Sequence, residues 1–165
     1  MIRRVVVIAL AAGLLAAPAW ARPTVSTDTT PGANFAAYKT FTFANALPPA
    51  NMDPVAYERI RQGVEQGLTG KGYSKAAAGD LSVIITLGAK DKTDVQSWGR
   101  FGLQQDVYQY TEGQMSVDVF DTKSRQPLWH GQATETVNPK KLDPKKIDEA
   151  VTDVMAKFPA QPGGT

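Results

Sequence analysis

The 165-residue chain contains no cysteine and a single histidine, His130. Without cysteine the protein cannot form a disulfide, use a thiol nucleophile or build a thiolate zinc site. A lipid-anchored N-terminus is excluded as well, because that anchor needs a cysteine at the cleavage point. A lone histidine must meet other partners in space before it can serve a metal site or a Ser-His-Asp arrangement. We therefore expect no metal site, and we interpret His130 as a half-exposed strand residue.

Motifs for nucleotides and for nucleophilic catalysis are also missing from the sequence. The chain has no phosphate loop and no dinucleotide fingerprint. It has no Gly-x-Ser-x-Gly elbow of the kind that presents a nucleophilic serine. The sequence therefore predicts no cofactor and no catalytic residue.

An excess of charge of one sign is absent once the first residues are set aside. The chain has 18 Lys+Arg and 16 Asp+Glu. Two of the arginines lie in the first 21 residues, which hold no acid, so 16 basic and 16 acidic residues remain. A neutral domain gives no electrostatic reason to expect nucleic acid or an anionic membrane as a partner. The lysine-rich stretch 139–146 (PKKLDPKK) is interpreted as a solvated turn at a helix start.

Residues 1–21 have the three-part layout of a secretory signal peptide. Two arginines precede an apolar run over 5–17, and 19-AWA-21 places small residues at the cleavage positions. The run is shorter than the ~20 residues that a membrane span requires. We therefore expect cleavage after Ala21, a periplasmic or secreted location, and no stable membrane anchor on the mature chain.

The remaining chain shows two kinds of pattern. Residues 22–34 are polar and rich in Thr and Pro, and they predict an extended lead-in. Strand-like patterns follow at 40–43, 81–87, 106–120 and 128–137. The last two alternate apolar and polar residues around a segment with turn composition, 121-DTKSRQP-127. Each then has one dry face and one wet face, as in an antiparallel sheet that helices cover on one side only.

An Asp-Pro pair opens each of the two predicted helices. Asp53 and Asp143 are good N-caps, and proline is tolerated at the first helical position. Apolar residues then recur at helical spacing: Tyr57, Ile60, Val64 and Leu68 in the first helix, and Ile147, Val151, Val154 and Phe158 in the second. Gly63 and Gly67 weaken the first helix by about 1 kcal/mol each relative to alanine. We expect these glycines to let that helix lie close to a sheet.

These elements predict a single α+β domain over residues 35–159, in the order β-α-β-β-β-α. The sheet is expected to be mostly antiparallel with about four strands, and two amphipathic helices are expected to pack on one of its faces. The tail, residues 160–165, is predicted to be disordered.

Acidic residues crowd the predicted strand pair. Asp118 and Asp121, with Glu112 and Glu135 nearby, have the side chains that acid–base chemistry and divalent cations use. Strand alternation, however, places Asp118 on the wet face, and Asp121 begins a turn in which its carboxylate can bond the backbone. We therefore predict structural roles for both, and we predict that Trp129 fills the core.

The segment 88–105 is predicted to be a long polar loop. Long loops in compact domains are often functional, and this one carries Trp98, Arg100 and Phe101. Tryptophan and arginine are favoured at interface hot spots. These three residues form a candidate partner-binding loop, with another envelope protein as the expected partner. The alternative is a loop tip that folds back on the edge of the sheet.

Several stretches share a pattern with one bacterial family: 35-FAAYKTFTF-43, 70-GKGY-73, 80-DLSVIITL-87, 110-YTEGQMSVDVFDTKSRQPLWHGQA-133 and 156-AKFP-159. Over most of residues 33–159 the chain resembles the bacterial envelope family catalogued as domain of unknown function 4136. The resemblance implies export, and it implies no reaction. Members often carry a lipoprotein cysteine that this chain lacks. The resemblance makes Asp118, Asp121, Trp129 and Gly131 a structural signature of the fold.

Two classes of function follow from these observations. The first is a non-catalytic periplasmic or envelope module for binding or assembly, which uses the 90–105 segment or the open face of the sheet. The second is a hydrolase of peptidoglycan or envelope glycan that uses the wet-face acids Asp118 and Glu112. We favour the first, because a hydrolase needs a nucleophile or base held by partners and the sequence shows none.

Overall fold

The structure, a computed structural model, describes residues 22–44, 47–48, 52–98, 104–138 and 141–162. Their elements, in chain order, are β1 (Thr24–Thr29), a 3-10 turn (Phe35–Ala37), β2 (Thr40–Phe43), α1 (Pro54–Gly70), β3 (Ser74–Lys75), β4 (Leu81–Trp98), β5 (Gln104–Asp121), β6 (Pro127–Val137) and α2 (Pro144–Ala156). The described residues form a mixed α+β domain with two α-helices.

The described strands form one six-stranded sheet in the order β1-β6-β5-β4-β2-β3. Strand β2 pairs in parallel with β3 and β4, whereas the other neighbouring strands are antiparallel. The α+β class and the mostly antiparallel sheet are therefore confirmed. The sheet has two strands more than the expected count of about four. The expected order β-α-β-β-β-α omits the same two strands, β1 and β3.

Both missed strands lie at the margins of the sheet. Strand β1 occupies the segment predicted as an extended lead-in, and it pairs antiparallel with β6 from Thr24↔Thr134 to Thr29↔Trp129. Its side chains are exposed except for the half-buried Val25. An edge strand that buries so little leaves no apolar alternation to detect, and β3 has only two residues.

The segment predicted as a long polar loop is mostly strand. Strands β4 and β5 have 18 residues each and pair along their whole length, from Leu81↔Asp121 to Trp98↔Gln104. The prediction was wrong because the outer half of this hairpin is exposed to solvent. A strand pair that buries neither face needs no apolar alternation, so its sequence reads as polar.

The helices pack together on one face of the sheet, as predicted, and each of them begins after an aspartate N-cap. Asp53 Oδ1 accepts a hydrogen bond from Val55 N at 2.9 Å, and Asp143 Oδ1 accepts one from Lys145 N at 2.9 Å. Each aspartate thereby satisfies a backbone donor that the first turn of its helix leaves unpaired. The N-cap predictions are confirmed.

The glycines of α1 bring the two helices close to each other. A Cβ atom at Gly63 would lie 2.8 Å from Val151 Cγ1, and one at Gly67 would lie 2.7 Å from Met155 Cβ. The glycines therefore face α2, not the sheet as expected from the sequence. At the exposed side of this contact, Arg59 donates two hydrogen bonds to Asp148, at 2.7 and 2.6 Å.

One apolar core lies between the sheet and the helices. The strands contribute alternate residues to it, including Val83, Val117 and Trp129. The helices contribute the predicted stripes except for Phe158, which follows the end of α2 at Ala156 and is still buried in the core. The ring of Phe158 makes edge-on contacts with three other aromatic rings, at centroid distances of 5.1 Å to Trp129, 5.5 Å to Phe35 and 5.5 Å to Tyr73. The end of α2 is thus fixed to β6 and to the segment before β2.

The C-terminal segment takes part in this packing. Gln161 is buried, and its Nε2 donates to the carbonyl oxygen of Phe35 at 2.7 Å. Its backbone N–H donates to the carbonyl oxygen of Lys71 at 2.9 Å. These side-chain and backbone hydrogen bonds connect Gln161 to the domain, and the disorder expected for residues 160–165 stays a prediction. Residues 163–165 lie outside the described residues.

Asp80 ties the start of β4 to the start of β2. Its Oδ2 accepts hydrogen bonds from Lys39 N at 3.0 Å, Thr40 N at 3.1 Å and Thr40 Oγ1 at 2.9 Å. The backbone donors of Lys39 and Thr40 and the Thr40 hydroxyl hold the pKa of the Asp80 carboxyl below its ordinary value. These hydrogen bonds to Asp80 therefore stabilise the parallel pairing of β2 with β4.

The close contact between α1 and α2 can be tested by a substitution for which two effects predict changes of opposite sign in the free energy of unfolding. Helix propensity alone predicts that Gly67→Ala stabilises the protein by up to about 1 kcal/mol. Because the new Cβ would overlap Met155 Cβ, we expect the variant to be destabilised by about 1–3 kcal/mol. Gly70→Ala is the matched control, since a Cβ there meets nothing within 4 Å. Urea unfolding of both variants gives the answer, and a more stable Gly67→Ala protein would contradict the close contact.

The second test concerns how the contribution of Asp80 to stability depends on pH. Because the folded-state pKa of Asp80 is lowered, its contribution to stability is complete above the unfolded pKa, near 3.8, and is lost as the pH falls through the folded value. We expect Asp80→Asn to lower the free energy of unfolding by about 1–2 kcal/mol at neutral pH. The deficit should shrink as the pH falls below about 4.

The measurement is urea unfolding of the Asp80→Asn protein and the wild type at several pH values. Asp153→Asn is the control, because the described residues give that half-buried helix carboxylate no hydrogen bond. A deficit that does not change between neutral and acidic pH would show that Asp80 acts without its charge.

Candidate functional site

The face of the sheet that points away from the helices carries a polar cluster. Asp118 and His130 are cross-strand partners on β5 and β6, and Asp118 Oδ1 lies 2.6 Å from His130 Nδ1. Ser116 Oγ donates to Asp118 Oδ2 at 3.3 Å. The serine therefore bonds the carboxylate and not the imidazole, which differs from the order of a Ser-His-Asp triad.

The carboxylate of Asp121 is hydrogen-bonded within the turn after β5. Its Oδ1 accepts from Ser124 N at 2.7 Å and from Lys123 N at 2.8 Å, and its Oδ2 accepts from the Tyr38 hydroxyl at 2.9 Å. These hydrogen bonds hold the pKa of the Asp121 carboxyl below its ordinary value, and the bond from Ser124 N has the largest effect. Burial and the bond to Asp121 raise the pKa of Tyr38. The geometry is that of a turn residue that also anchors the segment before β2.

Trp129 and Gly131 form a single packing unit. They lie two residues apart on β6, so their side chains point to the same face. A Cβ at Gly131 would lie 2.1 Å from Trp129 Cη2, which means that the indole ring lies over the glycine. Only glycine leaves room for the ring there, and the ring in turn meets Phe158. The four residues of the predicted signature thus all make contacts within the fold.

The acids that the sequence placed together are separated in the structure. Glu112 pairs with Lys92 at 3.3 Å on the outer part of the hairpin, and Glu135 pairs with Lys146 of α2. Asp118 and Glu135 belong to opposite faces of the sheet, since their strand positions differ in parity. Within the described residues, no three acidic or histidine side chains are grouped so that they could hold a metal ion.

The outer half of the β4–β5 hairpin, residues 90–98 and 104–110, is called the arm. Its strands pair only with each other within the described residues, because β2 pairs with β4 only at 81–83 and β6 reaches β5 only from Thr111 onward. Val95 and Val107 are cross-strand partners on one face and are 52% and 59% exposed. Tyr108, on the other face, is 52% exposed.

One of the three candidate partner-binding residues lies in this arm. Trp98 is the last residue of β4. Arg100 and Phe101 lie outside the described residues. Sequence reasoning missed Val95, Val107 and Tyr108, because two valines and a tyrosine spread over a polar stretch give no clear signal until the two strands are paired.

A cavity of about 650 Å³ opens between the base of the arm and the first turns of the helices. Its walls are mainly apolar, and they include Met52 and Ile60 from the α1 side, Leu87 and Met115 from the sheet, and Ile147 from α2. Sequence reasoning did not find it, since the apolar residues of its walls have the pattern of ordinary core residues.

No helix within the described residues is long and apolar enough to span a membrane.

The chain is similar in fold to two kinds of solved structure. A PDZ domain protein from Parabacteroides distasonis superposes with a TM-score of 0.60 at 18% identity, covering 87% of this chain and 37% of that chain. PelC from Paraburkholderia phytofirmans, described as a dodecamer, superposes with TM-scores of 0.54 and 0.51 in two crystal forms, at 13% identity. That match covers 85% of this chain and 99% of PelC.

The chain therefore corresponds to about a third of the Parabacteroides protein and to nearly the whole of PelC. Identities this low show a shared fold alone. No curated protein sequence matches the chain significantly. The model of one family, described as a domain of unknown function (DUF4136), matches residues 25–160. The match contains both helices and, apart from the first residue of β1, the whole sheet, so the chain belongs to this family.

Proposed function

We propose that this protein is an exported, non-catalytic assembly module that binds further copies of itself through the arm. The observation that carries the proposal is the arm itself: a two-stranded ribbon with exposed apolar side chains and no neighbouring strand among the described residues. Export is supported by the signal-peptide pattern of residues 1–21, and the proposed location is the periplasm or the outside of the cell.

The arm has two features that favour association. Unpaired strand edges present rows of backbone donors and acceptors to which another strand can add. The exposed Val95–Val107 pair and Tyr108 add apolar area to both faces of the same ribbon. An isolated two-stranded hairpin is only marginally stable in water, so a partner that covers the arm would also stabilise it.

Several observations favour a second copy as the occupant. The two edges of the arm differ in sequence, and an edge that meets a different edge makes a heterologous contact, which closes into a ring when the rotation allows. The mature chain has equal numbers of acidic and basic residues, so net charge does not oppose association. PelC, which is described as a dodecamer, has this fold over nearly its whole length.

Sedimentation velocity of the chain from Arg22 to Thr165 over a wide concentration range tests the proposal. We expect a concentration-dependent oligomer. The double variant Val95→Lys/Val107→Lys should be monomeric, because two buried and unpaired charges would oppose the contact. Thr69→Lys/Thr152→Lys is the charge-matched control: both residues are exposed and lie on the helices, away from the arm, so this variant should assemble as the wild type does.

Three results would contradict self-assembly. They are a wild-type protein that is monomeric at all concentrations, a double variant that assembles normally, and a contact confined to a different envelope protein. Circular dichroism of the double variant must match that of the wild type, so that loss of assembly is separated from loss of folding.

A second candidate function rests on the Asp118–His130 pair. A carboxylate that holds an imidazole at 2.6 Å can orient it as a base, which favours a hydrolase of peptidoglycan or envelope glycan. Asp118 and Glu112 cannot form a two-carboxylate glycosidase site, however. They are six residues apart on one strand, or ~20 Å, whereas such carboxyl groups lie within ~10 Å of each other.

The hydrolase candidate predicts release of soluble fragments from peptidoglycan by the purified protein. The activity should fall at least ~100-fold in Asp118→Asn and in His130→Gln, and it should be unchanged in Glu112→Gln, which alters only the Lys92 ion pair. An activity that survives both of the first two substitutions, or no activity at all, removes this candidate.

A further inference from the structure

We propose that the cavity beneath the arm binds the alkyl chain of a single-chain amphiphile with one anionic head group, a long-chain carboxylate. The proposal is independent of self-assembly, because the cavity lies between the sheet and the helices and the assembly contact is placed on the arm. The argument rests on the shape of the cavity, on its apolar walls and on the charges at its rim.

The walls suit a chain of methylene groups. The volume of about 650 Å³ falls within the ~300–1,000 Å³ of small-molecule sites. Leu87 and Met115 continue the buried rows of β4 and β5, but Leu87 and Ile147 are only half-buried. Ala89, the next residue on the Leu87 face, is exposed although it lines the cavity. These apolar surfaces are left open to water, and an alkyl chain would cover them.

The rim carries five charged side chains, and four of them either cap a helix or form an ion pair. Asp53 and Asp143 cap the two helices. Lys146 of α2 pairs with Glu135 of β6, whose side chain is only 11% exposed. Each of these four charges is thus balanced by another charge or by a helix N-terminus.

Lys141 is the remaining charged side chain of the rim. The described residues give its ammonium group no ion pair and no hydrogen bond, and the residue is exposed. A ligand that places its chain in the cavity and its carboxylate at the rim would complement this cation. Lys146 strengthens the preference, because Glu135 and the carbonyl oxygen of Thr136 accept from two of its three N–H donors.

The opposite arrangement fits less well. A cationic head group would meet Lys141 and would have to compete with both helix N-termini for the capping carboxylates. A ligand with two acyl chains would need more apolar wall than the cavity offers. The chemistry at this site therefore selects one chain and one negative charge.

Isothermal titration calorimetry with dodecanoate, below its micelle concentration, tests the site. We expect saturable binding at one site per chain. Ala89→Trp should weaken binding by roughly tenfold or more, because the indole would occupy the cavity. Thr86→Trp is the matched control: it lies on the same strand, is exposed, and belongs to the opposite face, so its affinity should equal that of the wild type.

The head group is tested separately. Lys141→Gln should weaken dodecanoate binding by roughly two- to fivefold, as expected for loss of one exposed ion pair. Dodecyltrimethylammonium, with the same chain and the opposite charge, should bind more weakly than dodecanoate and should gain from Lys141→Gln.

Several outcomes would overturn the proposal. They are no binding of dodecanoate, equal affinity in Ala89→Trp and wild type, or tighter binding of the cationic amphiphile. Sedimentation with phosphatidylglycerol vesicles in the absence of dodecanoate binding would also overturn it, by indicating a membrane surface in place of a single chain. Sedimentation velocity of Ala89→Trp should still show the oligomer of the wild type, so failure here is distinguishable from failure of self-assembly.

Discussion

The structure depends on a mismatch of lengths between its central strands and its helices. Strands β4 and β5 have 18 residues each and would extend ~60 Å if regular. Helices α1 and α2 have 17 and 13 residues, or ~25 and ~20 Å. A helix pair of that length can cover only part of such a hairpin. The buried apolar residues accordingly stop at Ile85 on β4 and begin at Met115 on β5.

The covered end of the hairpin is the end that the rest of the chain fixes in place. Asp80 holds β2 against the start of β4, and Asp121 holds the turn after β5 together with Tyr38. The indole of Trp129 lies over Gly131 and meets Phe158, which closes the core at the end of α2. Beyond the helices the same strands pass first over the cavity and then into the arm. Both proposed binding surfaces therefore arise where the helices end.

This division explains what the sequence could predict. Local signals were sufficient wherever burial is one-sided and complete. The Asp-Pro caps and the alternation of 115–119 against 129–133 are found as predicted, and so are the apolar stripes apart from Phe158, which lies beyond the end of α2. The same reasoning failed where burial is weak. Strand β1 is a polar edge, β3 is two residues long, and residues 88–96 are strand residues exposed on both faces. None of these segments needs the periodicity by which strands are recognised.

The candidate sites follow the same rule. The turn contacts of Asp121 could be anticipated because they are local, within four residues along the chain, whereas its hydrogen bond from Tyr38 could not. The Asp118–His130 pair could not, since it depends on the register of β5 against β6. The role of Gly63 and Gly67 was misplaced because sequence spacing shows that two glycines share a helix face but does not show what lies opposite. The cavity and the arm exist because β4 and β5 are longer than the helices that cover them, and no single sequence motif encodes that difference in length.

The central claim is that the helices stabilise one end of the β4–β5 hairpin and that the arm is stabilised by assembly. Hydrogen exchange of the backbone amides, followed at low and high protein concentration, tests it most directly. The account predicts slow exchange at 81–85 and 115–119 under both conditions. It predicts fast exchange at 91–96 and 107–110 in the dilute protein and slower exchange there in the concentrated one. Arm amides that are protected as well as those of the covered end at every concentration would contradict it.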